Sequence, residues 1–303
     1  MSLRPTVAAI FAAICMPMLA MQDAATPTAT IDEHTTGPAV ALGPFTGYTV
    51  DVGAGQGVSV IGEHLYIYGD ADTGIIREYE LDAARRGDLV PTGRVLRLTV
   101  DGEDVAAHPT GLTSLDGRTV ILGDTVAGVG QIFWLDWDAA WERGTLDGAI
   151  LHRALDDAAV NGTRPHYARY QNRWLLATSD YGSEGNAIRL YDPKRLRAVE
   201  NTSADGVLVA SVPCTPYVQN VHWLDETGTL VLIQNQVAGL RYRFTFVALE
   251  EAIAAGDARD APFVDLDEPT DELEGFATLG GGMCVMTSAM REHNVWIGMI
   301  RFR

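Results

Sequence analysis

The residue types that acid–base chemistry asks for recur along this 303-residue chain. His166 and His222 could serve as general base, Glu274 as general acid and Arg164 as a clamp for an anion. Together they suit a hydrolase or a lyase. Gln56, His108, Tyr217, Gln219, Asn220 and Glu272 add groups that would hold a small polar or anionic ligand, such as a saccharide or sugar acid, without any reaction. The same side chains read equally well as satisfied polar groups plugging a water-filled channel. Asp70 and Asp72 in GDADTG, with Asp124, are oxygen ligands of the kind calcium takes, and equally are turn formers. Beyond calcium no cofactor is implied. His108, His166, His222 and Glu274 are metal-ligand types too, but no HxH or HExxH motif joins them. P-loop, dinucleotide and GxSxG signatures are missing from the sequence. Trp134, Trp137 and Trp141 would either stack on a sugar ring or fill a core.

Residues this far apart meet only if a repeated unit brings them together. Five segments align, and their marker residues are Gly57, Gly111, His166, Asn220 and Gly275, at spacings of 54, 55, 54 and 55. A second column, Asp70, Asp124, Ser179, Asn235 and Ser288, repeats at 54, 55, 56 and 53. Each unit carries short β-branched and aromatic runs punctuated by turn residues, which predicts strands. A polar connection after the third strand predicts a helical turn or two ended by Gly. Alternation separates an apolar column, Val58, Leu112, Tyr167, Val221 and Phe276, from a small or polar one.

Four strands in each of five units describe an all-β protein, a five-bladed β-propeller with four-stranded blades. The last unit lacks a fourth strand, and a surplus strand at 47–52 precedes the first. That N-terminal strand is expected to complete the last blade and close the ring, giving a single domain over 45–303. The period, the four-strand unit and the closure resemble five-bladed propeller proteins over Gly47–Arg303, and ELEGFA (Glu272–Ala277) is similar to the start of an inner strand in phytase-like propellers. The resemblance implies a ligand site at the channel mouth, where inner strands begin. Arabinanase-like glycosidases are similar in blade number, and they use acids from several inner strands. Here the corresponding residues are Gln56, Thr110, Pro165, Gln219 and Glu274, one of them acidic. Glycoside hydrolysis by two carboxylates is therefore disfavoured unless Asp70, Asp124 or Glu272 supplies the second. A protein-interaction scaffold using the blade loops is the remaining alternative.

Composition narrows the partners. A formal net charge of −18, from 40 acids against 22 bases, disfavours nucleic acid and anionic lipid. With 47% apolar and 20% charged residues, the chain is neither disordered nor a disulfide scaffold. Met1–Ala20 has one base, Arg4, before an uncharged stretch, and reads as a signal peptide. The expected product is a secreted or periplasmic monomer with no membrane segment once the signal is removed. Residues 21–44 read as a flexible linker. Cys214 and Cys284 fall in different units and read as two buried free thiols.

Overall fold

In a computed structural model of the chain, residues 28–30, 40–159, 162–237, 241–267 and 271–302 are described. Among them, five antiparallel sheets surround an axis. Blade 1 comprises Ala54–Ile61, His64–Asp70, Gly74–Glu80 and Pro91–Arg97, from the axis outward. Blade 2 comprises Pro109–Ser114, Thr119–Val126, Val129–Asp136 and Ile150–Asp156. In blade 3 the strands are His166–Tyr170, Arg173–Thr178, Ala187–Tyr191 and Leu208–Pro213. Blade 4 contains Val218–Leu224, Thr229–Val237, Arg241–Ala248 and Phe263–Asp267. Blade 5 contains Leu273–Gly280, Met283–Ser288 and Val295–Phe302. The predicted five-bladed propeller is the fold.

An N-terminal strand does complete blade 5, but it is Val40–Tyr48 rather than 47–52. Its extent follows its partner: Val40 pairs with Phe302 and Tyr48 with Val295. The next residues are held differently. Asn294 exchanges two 2.8 Å hydrogen bonds with the Val50 backbone, and Val50 and Val52 pack into the wedge between blades 5 and 1. The stretch read as linker, 21–44, thus holds the first half of this strand, and Thr28–Thr30 adds a fifth strand to blade 4. The remainder of that stretch and the expected signal peptide, 1–20, lie outside the described residues.

The core is divided into five wedges, one between each pair of neighbouring blades. Strand alternation does the dividing. In blade 2, Leu122 and Phe133 face blade 1, whereas Ile121, Ile132 and Trp134 face blade 3. The predicted apolar column supplies one residue to each wedge: Val58, Leu112, Tyr167, Val221 and Phe276. The tryptophans therefore do not form one patch. Trp134 packs towards blade 3, while Trp137 and Trp141 pack towards blade 1.

Short helices follow the third strands of blades 1 to 4: Leu81–Arg85, Trp137–Arg143, Pro193–Leu196 and Leu249–Ala255. Asp136 and Asp192 cap two of them by accepting backbone N–H bonds, and Gly144 and Gly256 end two in the left-handed conformation. Cys214 and Cys284 are buried and free, and burial pushes both thiols up, Cys214 to about 12. No helix among the described residues is long and apolar enough to cross a membrane.

Candidate functional site

Inner strands begin, and second strands end, at one face of the ring. There the same local device recurs. Ladder register shifts by one residue at Gly55/Gly57, Val218/Asn220 and Leu273/Gly275, so Gln56, Gln219 and Glu274 are bulge residues. Blade 2 does likewise at Thr110, where Gly123 pairs with Gly111 and Asp124 with Pro109. A bulge re-aims its side chain out of the pleat. This is how a column that alternation would place on one face collects at the rim.

On the side of blades 3 to 5, the Gln219 amide donates to Glu274 Oε1 at 2.9 Å and to Glu272 Oε2 at 3.2 Å. Arg164, 4% exposed, donates to the Gln219 carbonyl at 3.2 Å and lies 5.6 Å from the Tyr181 ring centre. Burial, then the adjacent Glu272 carboxylate, holds Glu274 well above the usual carboxylate range, with Arg164 opposing. Burial also lowers Arg164 to about 10, which leaves it charged at neutral pH. Tyr181 and Tyr217 lie at the rim with ring centres 5.8 Å apart, and Tyr217 adopts a left-handed φ of 59°. A bulky side chain seldom takes that conformation. Asn235 lies below them, 1% exposed, with neither amide atom partnered.

On the side of blades 1 and 2, His108 Nδ1 meets Asp70 Oδ2 at 2.9 Å, and Gln56 reaches the same oxygen at 3.4 Å. The carboxylate thus fixes the imidazole orientation. Asp124 accepts the His108 backbone N–H at 2.9 Å. Burial pushes the Asp124 carboxyl up to about 6, and its second oxygen has no partner. Of the three aspartates expected as calcium ligands, Asp70 is thus held by His108, Asp124 by a backbone N–H, and Asp72 stands on the exposed loop. Among the described residues, no three His, Cys, Asp or Glu side chains form a metal-holding group.

The two histidines proposed as bases are not at this rim. His166 and His222 stack edge to face with centres 5.2 Å apart. His222 Nε2 meets Thr278 Oγ1 at 3.1 Å and its ring contacts Phe276. Thr278 is four residues beyond Glu274 on one strand, about 13 Å at ordinary strand rise. Between the two levels, Asn220 crosses the axis, donating to Tyr68 Oη at 3.1 Å and to the Glu274 carbonyl at 3.2 Å. Tyr68 is 1% exposed there. The predicted set thus divides into a rim group with Arg164, Glu272 and Glu274, a plug at Asn220, and a histidine pair beyond it. Sequence reading missed Tyr68, Tyr181 and the contact of Asp70 with His108. The glycine at position 57 was the available signal for Tyr68, since a Cβ there would overlap its ring.

The histidine pair has a measurable consequence. Burial lowers both imidazoles below the ordinary 6.5, and proximity to His166 lowers His222 further. Below pH 6.5 the unfolded chain therefore binds more protons than the folded one, and this contribution to stability is lost as pH falls. Glu274 and Asp124, raised in the fold, act in the opposite sense, losing stability as pH rises. Urea melts at pH 7 and pH 5 should show a smaller acid loss for His222→Gln than for the native chain. Equal losses would refute the assignment.

No protein-family model and no curated protein matches this chain. Among solved structures, it is similar to hydrazine synthase of Kuenenia stuttgartiensis, with a TM-score of 0.43, 16% identity, and coverage of 79% of this chain and 57% of that one. It is also similar to the Dos1 propeller, with a TM-score of 0.35, 8% identity, and coverage of 84% and 54%. The chain thus spans little more than half the length of either protein.

Proposed function

We propose that this propeller binds a small polyhydroxylated ligand, a saccharide, at the rim formed by Tyr181, Tyr217, Glu272, His108 and Asp70. The observation that carries this is the pairing of two rim tyrosines with the Glu272–Gln219–Glu274 cluster. Aromatic faces stack on the apolar side of a sugar ring, and carboxylates and amides take its hydroxyls. An anionic ligand is less well served, because Arg164 is already turned towards Gln219 and is surrounded by Glu274 and Asp180. Export, resting on Met1–Ala20, and a monomeric state belong to the same reading.

Calorimetric titration with maltotriose, cellotriose and xylotriose, and with digalacturonate as the anionic arm, tests it. At least one neutral trisaccharide should bind, and Tyr217→Ala should weaken it about tenfold, a loss of about 1.4 kcal/mol. Binding of digalacturonate alone, or of nothing, would remove the reading. A second reading is a hydrolase, favoured by Glu274, which burial and Glu272 hold well above the usual carboxylate range, with the Asp70–His108 pair across the rim. Reducing-end release from the bound sugar, abolished by Glu274→Gln, would establish it.

A further inference from the structure

The face opposite the rim carries a second polar cleft, between blades 1 and 2. Its volume is about 370 Å³, and it opens beside the turns at Gly62 and Gly117. The floor is an aromatic cluster. Tyr66 lies edge to face with Trp137 at 5.2 Å and tilted against Trp141 at 5.6 Å, and His64 is 6.2 Å from Tyr66. Glu78, 2% exposed, is satisfied by Tyr66 Oη, Thr92 Oγ1 and Arg94 Nη1. Arg94 in turn lies 4.8 Å over the Trp141 ring with its side chain 49% exposed, so the outer edge of its guanidinium faces the cleft.

Two buried nitrogens in this lining have no partner: Trp141 Nε1, on a residue only 8% exposed, and His64 Nδ1. Trp137 Nε1, by contrast, is used, donating to Tyr66 Oη at 3.4 Å. A buried N–H without an acceptor costs free energy that a bound acceptor would recover. Indole and guanidinium groups only donate, so the floor has donors to offer and its carboxylate is already engaged. The rim is the reverse, carrying the carboxylates of Glu63, Asp138 and Glu142.

We propose that this cleft binds a small zwitterion of the α-amino-acid type. The ligand's carboxylate meets Trp141 Nε1, Arg94 and His64, and its ammonium meets the acidic rim. The body of the ligand lies against the aromatic floor. A simple carboxylate would face the rim unbalanced, and a simple amine would leave the floor donors unpaired. The site is separate from the saccharide rim and does not depend on it.

The test is titration of the native chain with glycine, L-leucine, L-glutamine and L-phenylalanine, followed through the Trp141 indole N–H resonance. 4-Methylpentanoate and isopentylamine are the carboxylate-only and amine-only counterparts of leucine. At least one amino acid should bind and move the indole signal, and both leucine counterparts should bind at least tenfold more weakly than leucine. Trp141→Phe keeps the ring and removes the N–H, so it should weaken amino-acid binding at least tenfold without lowering Tm. Arg94→Lys, which keeps the charge and loses the fork, should weaken it as well. No binding by any amino acid, equal binding of the amine, or unchanged affinity in Trp141→Phe would each overturn the proposal. Should that variant fail to fold, an unmoved indole resonance in the native chain would overturn it too.

Discussion

Asp156→Ala is expected to destabilise the chain by about 3–5 kcal/mol, a large part of what holds an ordinary domain folded. Asp156 ends the outermost strand of blade 2 and is 1% exposed. Its Oδ1 accepts from Tyr191 Oη at 2.8 Å and Thr202 Oγ1 at 3.0 Å. Its Oδ2 accepts from Thr163 Oγ1 at 2.7 Å and Thr178 Oγ1 at 3.3 Å. Three of these donors belong to blade 3 or to the connection inside it, so one carboxylate fastens two blades. Removing it leaves several buried hydroxyls without an acceptor, each costing about 1–3 kcal/mol before relaxation. Asp156→Asn keeps one acceptor oxygen and should lose about half as much. Urea denaturation would show a lower midpoint at unchanged slope. A change under about 1 kcal/mol for the alanine variant would show that the network does not fasten the ring.

Gly57→Ala should cost about 3 kcal/mol, although its backbone conformation suits any residue. The constraint is space at the axis. A Cβ at this position would lie 2.6 Å from Tyr68 Cε2 and would also overlap Cζ and Oη. Tyr68 would have to withdraw, giving up its bond to Asn220. Gly275 adds to the crowding, since a Cβ there would meet Gly57 Cα at 2.6 Å. Tyr68→Ala alone should cost about 3–5 kcal/mol through the void it leaves. In the double variant Gly57→Ala/Tyr68→Ala the clash is gone, so its loss should fall short of the sum by about 1–3 kcal/mol. Strict additivity in that cycle would mean that Gly57 is small for another reason.

Both positions show where sequence reading stops. Gly57 was visible as one of five equivalent residues, and its smallness pointed to a crowded axis. What crowds it, Tyr68, sits in the next strand and was indistinguishable from any other buried aromatic. Nothing local in the sequence marked Asp156, because its partners are supplied by Tyr191 and Thr202, tens of residues away. The column Gln56, Thr110, Gln219 and Glu274 was recognised as equivalent positions. Its convergence at the rim needed the bulges, which are a property of paired strands.

Period and alternation are local properties of a chain, so the sequence by itself determined the five blades, their strands and the residue each contributes to its wedge. It also determined that a strand from the N-terminal side must complete the last blade, since the fifth unit is one strand short. Only the tertiary structure decided that Val40–Tyr48 is that strand, because its length is set by pairing with Val295–Phe302. The division of the polar residues was likewise a three-dimensional outcome. His166 and His222 share repeat positions close to those of Gln219 and Glu274. A few residues of strand rise, with the Tyr68–Asn220 bond across the axis, place the two groups at different levels of one ring.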